Sequence, residues 1–181
     1  MNKSIRLLFE EHEIIVNAID VVSEVKSLIG KNDIMYEKTV RELLLFFRNY
    51  ADKFHHFKEE EILFPEMSKK NELLTDGVLK EMFENHSDFR ERIKSVENLL
   101  NEKKYPDAQL QLERYAEALL NHIAVENEEV FQTAEAIFSE EELEKIFFRF
   151  EDCDRELGIS KKLELKEMAE TLRKNLLFSA L

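Results

Sequence analysis

The chain has 181 residues, of which 44% are hydrophobic and 36% charged, with only three glycines and two prolines. Few turn-forming residues, together with the lack of the period-2 alternation of half-buried strands, predict an all-α fold. The formal net charge is −13, with 26 basic side chains among 39 acidic ones. This balance argues against a nucleic-acid partner, because binding phosphates needs a concentrated basic surface.

Three features of the sequence indicate the cellular compartment of the protein. Cys153 is the one cysteine, so the chain can form no internal disulfide. No run of about 18 apolar residues is present for a membrane span, and the N-terminus has acidic residues where a signal peptide has an apolar region. We therefore expect a cytoplasmic protein that binds neither membranes nor nucleic acid.

Apolar residues at spacings of three and four predict a first helix over about residues 4–29, with His12 inside its apolar stripe. A second helix is predicted to begin near Asp33 and to be broken or ended at Pro65, because proline supplies no backbone N–H. The third helix is predicted over residues 77–101, with His86 on its apolar face.

The fourth helix is predicted from near Pro106 to about Phe138, and its apolar stripe carries His122 and Glu126. Ser139 and Glu142 then form the pattern of a capping box, which predicts a fifth helix from residue 140 to about 157. A sixth follows from residue 160. We expect residues 1–138 to form an up-down-up-down four-helix bundle and residues 139–181 a C-terminal helical extension packed on it.

The segment HHFKEEEILFP, residues 55–65, places two histidines and three glutamates within an otherwise apolar stretch. Residues four apart lie on one helix face, so His56 pairs with Glu60 just as His122 pairs with Glu126. His55 with Glu59 has the same spacing, and His55 borders the apolar line of this helix more closely. Periodicity alone leaves both choices open.

All four predicted stripes thus carry a histidine, and two also carry a glutamate. Bare carboxylates inside a bundle would be strongly unfavourable, and two metal ions would remove that difficulty. Imidazole and carboxylate without thiolate suit iron or manganese, and also zinc, whereas calcium and magnesium prefer oxygen ligands. Since two carboxylates from two helices can bridge two metals, the sequence predicts a dinuclear site.

HFKEEEILF resembles the HFxxEExLM element of hemerythrins, and HHFKEEEILFPEM resembles the HHxKEExxLFP element of bacterial and archaeal hemerythrin-like HHE cation-binding proteins. HIAVENEEVFQTAEAIFSEEEL is also similar to those proteins, and the resemblance covers about residues 4–150. In that family the histidine directly before the phenylalanine is the ligand, which favours His56 with Glu60 and makes His55 a neighbour. The resemblance implies two iron ions held by His12, His56, Glu60, His86, His122 and Glu126, with Glu60 and Glu126 bridging.

Two departures from hemerythrins affect this expectation. Their third helix carries two histidines four apart, and the first of these positions is Met82 here. Their fourth-helix carboxylate is an aspartate five positions after its histidine, whereas this chain has Glu126 at four. We therefore expect one iron to lack a histidine and to keep a position that water, a small ligand or an oxygen donor such as Tyr115 can occupy. For Tyr115 itself we favour a core tyrosine whose hydroxyl is hydrogen-bonded elsewhere.

The resemblance implies a non-haem di-iron protein that binds dioxygen or a related small ligand for sensing, storage or delivery. An enzyme acting on peroxide or nitric oxide in stress defence is the alternative, as is an iron-binding sensor. We favour a metal- and oxygen-binding protein over an enzyme. The expected partners are small diatomic or peroxide ligands, and the expected state is a monomer or a homodimer.

Overall fold

The computed structural model describes the backbone of residues 1–179 and the side chains of residues 1–174. Within this range the chain forms six helices and no strand, which confirms the predicted all-α fold. The first helix, α1, is Lys3–Val25, and the side chain of Asn2 caps it by accepting a hydrogen bond from the amide of Ser4. A short 3₁₀ turn, Lys26–Leu28, follows α1.

The second helix, α2, begins with the α-helical segment Asp33–Phe46 and then changes its hydrogen-bonding pattern. Phe47–His56 and Glu59–Leu63 are π-helical, and the α-helix resumes over Phe64–Lys70. Short π-helical segments within α-helices are rare and occur frequently at functional sites. Both histidines of α2, together with Glu59, Glu60 and Glu61, lie within these two segments.

Of the two predicted effects of Pro65, breaking or ending the second helix, the structure excludes the end. Pro65 is the second residue after the π-helical segment Glu59–Leu63 and lies in the first turn of Phe64–Lys70, where an amide N–H is not required. Arg149 donates a hydrogen bond at 3.5 Å to the backbone carbonyl of Glu61, four residues before the proline. The helix therefore continues for five residues beyond Pro65.

The remaining helices lie close to their predicted positions. The third, α3, is Val78–Asn101, and the fourth, α4, comprises α-helical Tyr105–Val125, π-helical Glu126–Val130 and α-helical Phe131–Ile137. The fifth, α5, is Glu140–Leu157 with the predicted capping box at its start, and the sixth, α6, is Ile159–Ser179. Residues 180 and 181 of the predicted extension lie outside the described part.

Helices α3 and α4 pack along each other through a connection of three residues, and α1 packs against α2 and α4. Helices α5 and α6 both pack against α1. Ser4, the fourth residue of the chain, is fully buried together with Ile5 and Leu8 of α1. Among the described residues, no helix has the length and apolar character needed to cross a membrane.

The apolar core forms two clusters. One contains Ile15, Phe54, Phe89 and Leu119, and the other contains Leu8, Ile62, Met82 and Val130. Between these two clusters lies a buried histidine from each of the first four helices, together with buried glutamates and Lys58. The fold therefore encloses a polar layer between two apolar ones.

Candidate metal centre

Seven polar side chains form the buried layer between the two apolar clusters, and each is at most 2% exposed. Helix α1 supplies one of them, α2 three, α3 one and α4 two. We call this set the histidine–glutamate layer, and its members are His12, His55, His56, Glu59, His86, His122 and Glu126.

The layer divides into two sets of side chains whose ligand atoms converge to within 4.8 Å of one another. The three-histidine group consists of His56, His86 and His122 with Glu59. The two-histidine group consists of His12 and His55 with Glu59 and Glu126. Glu59 belongs to both groups, so the two groups share a carboxylate.

Each of the two buried carboxylates presents one oxygen atom to each group. Glu59 Oε1 lies 3.4 Å from His55 Nε2, and its Oε2 lies 3.6 Å from His86 Nε2. Glu126 Oε2 lies 3.2 Å from His12 Nε2, and its Oε1 lies 3.1 Å from His122 Nε2. Each of these carboxylates therefore faces both histidine groups at once.

The inner atoms of the layer lack ordinary hydrogen-bond partners. All four oxygens of Glu59 and Glu126 are buried, and within the described residues none accepts a hydrogen bond of normal geometry. The same holds for Nε2 of His12 and His55. Buried polar atoms are nearly always satisfied in folded proteins, so this convergent set of unsatisfied acceptors could hold a cation.

The electrostatics of the metal-free layer lead to the same conclusion. Burial, followed by the nearby charge of Glu126, raises the pKa of Glu59 well above its ordinary value. Burial would also raise the pKa of Glu126, but His122 and the other imidazoles around it outweigh that effect and lower it. Burial and then the proximity of His86 lower the pKa of His56, which keeps its imidazole neutral and able to bind a metal.

The Nδ1 atoms of the histidines face outward to supporting groups. His12 Nδ1 lies 2.8 Å from Asn127 Oδ1, and His55 Nδ1 lies 3.0 Å from Glu11 Oε2. Because the outer nitrogen can donate to these oxygens, the inner Nε2 keeps its lone pair for a metal. Glu60 Oε1 lies 2.8 Å from His86 Nδ1, and the amide nitrogen of Asn85 lies 3.4 Å from His122 Nδ1. Asp52 Oδ1 is 3.8 Å from His56 Nδ1, which is too far for a hydrogen bond.

Glu60, expected as a bridging ligand, does not lie in either group. Its Oε1 is 2.8 Å from Nδ1 of His86 and 2.7 Å from a guanidinium nitrogen of Arg90, and its side chain is 17% exposed. Burial alone would raise its pKa, but the hydrogen bonds from His86 and Arg90 lower it. Glu60 therefore supports His86 from outside, and Glu59 is the carboxylate that faces the interior.

His55, expected as a neighbour of the site, lies inside the two-histidine group. The physical reason is that Glu59 is four residues after His55 and three after His56, so one carboxylate is within helical reach of both rings. The π-helical backbone of Phe47–His56 allows these adjacent histidines both to lie in the buried layer. Periodicity left the pair of His55 and Glu59 open, and the family resemblance then favoured His56 with Glu60. The three-residue spacing from His56 to Glu59, which lets both histidines share one carboxylate, was not considered.

Met82 and Tyr115 are both buried but differ in their surroundings. Met82 lies in the apolar cluster with Leu8 and Val130, one turn before His86. The ring of Tyr115 packs edge-on against Phe47 and Phe89. Together with His56, Tyr115 also lines a cavity of about 290 Å³.

The comparison with protein families agrees with this geometry. Residues 3–134 match the hemerythrin HHE cation-binding domain. Comparison with curated proteins and with solved structures gave no match. Since the family match spans well over half of the 181 residues and contains the whole histidine–glutamate layer, the chain belongs to the hemerythrin HHE cation-binding domain family.

Proposed function

We propose that the chain binds two iron ions in the histidine–glutamate layer and uses them to bind dioxygen or a related small ligand. One ion is held by the three-histidine group and the other by the two-histidine group. Glu59 and Glu126 bridge the two ions. The proposed ligands are His12, His55, His56, Glu59, His86, His122 and Glu126.

The observation that carries this proposal is the disposition of Glu59 and Glu126. Each directs one oxygen towards each histidine group, and their buried oxygens accept no hydrogen bond within the described residues. Leaving a carboxylate uncompensated in a protein interior costs several kcal/mol, which a bound cation would offset. Five imidazoles and two carboxylates without thiolate suit iron, and manganese and zinc accept the same donors.

When bound, the two irons would supply the redox chemistry and the vacant coordination positions that a small ligand needs. The chain's own side chains set where those positions lie. The two-histidine group offers one imidazole fewer than the three-histidine group. The apolar clusters on both sides exclude water, which favours a small uncharged ligand over a hydrated ion.

The cavity beside His56 favours the second candidate, an enzyme acting on peroxide or nitric oxide. Its lining includes charged side chains, such as Asp52 and Arg90, in addition to Phe89 and Tyr115. A cavity next to the centre with charged side chains in its lining would admit water-soluble reactants and release products. Storing or sensing dioxygen and converting peroxide or nitric oxide would therefore use the same site. These functions differ in whether the bound ligand is released unchanged or reacts.

The optical spectrum of the protein loaded anaerobically with two equivalents of Fe²⁺ separates these functions. An absorption band that appears in air and disappears on degassing supports ligand carriage or sensing. Irreversible bleaching, with consumption of added peroxide or nitric oxide, supports the enzyme. A protein that binds fewer than two metal ions per chain would contradict the proposed centre.

A further inference from the structure

A network of four charged side chains lies directly behind His55. Lys58 Nζ is 2.8 Å from Glu11 Oε1 and 2.7 Å from Asp154 Oδ1, and it also donates to the carbonyl of Phe54 at 2.7 Å. Lys162 forms ion pairs with both Glu11 and Asp154. Two cations and two anions therefore neutralise each other inside the protein.

The network is too deeply buried to be an ordinary surface feature. The side chain of Lys58 is fully buried, that of Glu11 is 3% exposed, and Asp154 and Lys162 are 13% and 17% exposed. Removing such charges from water costs several kcal/mol per ion, and apolar replacements of buried ion pairs are often as stable or more stable. Stability alone is thus a poor reason for the network.

Its contact with the histidine–glutamate layer suggests another reason. Glu11 Oε2 lies 3.0 Å from His55 Nδ1, while Nε2 of the same ring faces Glu59. A carboxylate that accepts from the outer nitrogen of a metal-binding histidine fixes its tautomer and ring orientation and makes it a stronger ligand. Lys58 and Lys162 hold Glu11 in place for this contact.

Two members of the network lie outside the matched family domain. That match ends at residue 134, whereas Asp154 is in α5 and Lys162 is in α6. Helices α5 and α6 supply no member of the histidine–glutamate layer among their described residues. Their polar contact with the centre passes through Glu11 and Lys58.

We propose that Glu11 is a positioning residue for His55, and that α5 and α6, through Asp154 and Lys162, complete the support of the two-histidine group. This inference rests on the proposed two-metal function. Its consequence is selective: loss of the network should weaken the ion bound by His12 and His55. The ion bound by the three-histidine group should be retained.

The test is an anaerobic titration of the full chain with Co²⁺, whose visible absorption reports its ligands. The wild type should bind two equivalents, the tighter one at the three-histidine group. In Glu11→Gln we expect the affinity of the second equivalent to fall about 10- to 100-fold, the usual effect of removing such an outer partner. The affinity of the first equivalent should not change.

A double variant tests the contribution of α5 and α6. Asp154→Asn with Lys162→Met removes one charge of each sign and should lower the affinity of the second equivalent about 10-fold. The matched control is Asp152→Asn with Lys161→Met, at neighbouring side chains that are 59% and 52% exposed, which should bind as the wild type does. Lys162→Arg keeps a cation beside Glu11 and should retain the second equivalent.

Several outcomes would overturn the proposal. One is an unchanged second equivalent in Glu11→Gln, and another is equal weakening of both equivalents, which indicates a merely structural role. If Glu11→Gln does not fold, the Asp154→Asn, Lys162→Met double variant is the test. If that variant binds the second Co²⁺ equivalent as tightly as the wild type does, α5 and α6 do not support the two-histidine group. A wild type that binds fewer than two Co²⁺ ions would instead refute the proposed function.

Discussion

Glu59 and Glu60 are adjacent, yet the structure gives them opposite roles, and exchanging each for glutamine tests that difference. Burial and the nearby charge of Glu126 raise the pKa of Glu59 well above its ordinary value, which favours the protonated, neutral carboxyl when no metal is bound. Glutamine has nearly the same shape and charge as this form. Glu59→Gln should therefore leave the stability of the metal-free protein almost unchanged and reduce only the gain on metal binding.

The size of that gain follows from linkage. An ion present at 100 times its Kd stabilises the folded state by about 2.7 kcal/mol, so two ions contribute about 5 kcal/mol. For a chain of this length each kcal/mol shifts Tm by roughly 2–4 °C, so the wild type should melt about 10–20 °C higher with metal than without. This gain is comparable to the roughly 2–5 kcal/mol lost on truncating a core leucine to alanine.

Glu59→Gln replaces a carboxylate shared by both ions, and we expect it to abolish most of that gain. Glu60→Gln keeps an oxygen that can accept from His86 and Arg90. A tenfold weaker ion at the three-histidine group would remove only about 1.4 kcal/mol. Calorimetry should measure Tm for both variants, each with metal and with chelator, which gives the metal-dependent rise in Tm of each variant.

The reverse pattern would refute this reasoning. If Glu60→Gln loses the metal-dependent rise in Tm and Glu59→Gln keeps it, Glu60 is the bridging ligand and Glu59 is not. If the wild type melts at the same temperature with and without metal, the buried carboxylates are compensated in some other way.

Three further predictions concern side chains around the centre. His55→Gln should leave one tightly bound Co²⁺ per chain, measured by titration; two unchanged equivalents would exclude His55 as a ligand. Met82→His places a polar ring in an apolar cluster, so the free energy of unfolding in urea should fall by about 1–3 kcal/mol with the metal content still two per chain; a third bound ion or a more stable protein would contradict this. Tyr115→Phe should leave the spectrum of the iron-loaded protein unchanged, because burial raises the pKa of this phenol and disfavours the phenolate; loss of an intense visible band would show that Tyr115 binds iron.

The helices and most of the layer could be predicted from the sequence for simple physical reasons. His12, His86 and His122 each stand in an apolar stripe with a period close to 3.6, so an inward position followed directly from an α-helical backbone. Glu126 followed in the same way from its spacing to His122. The capping box at Ser139 and Glu142 likewise fixed the start of α5.

The assignments in α2 could not be made in the same way because its backbone is not α-helical there. Assigning residues 55–65 to the faces of an α-helix assumes the same rotation about the helix axis for every residue. The two π-helical segments change that rotation. Resemblance to the family then favoured His56 with Glu60, and only three-dimensional packing shows that Glu60 faces Arg90. For the same reason the sequence left open whether Pro65 breaks or ends the helix, since it follows one of these segments.

The π-helical segments also explain why the histidines of this layer come from different helices than those of hemerythrins do. The absence of a histidine at position 82 predicted that one iron would lack an imidazole, but the layer still contains five imidazoles because α2 contributes both His55 and His56. Two adjacent residues of a regular α-helix point about 100° apart, so this compensation depends on the altered backbone. Glu59 and Glu126 each begin a five-residue π-helical segment, in α2 and α4 respectively. With the proposed ligands, these segments are the local change that supplies a histidine from α2 in place of one from α3 while the four-helix arrangement stays the same.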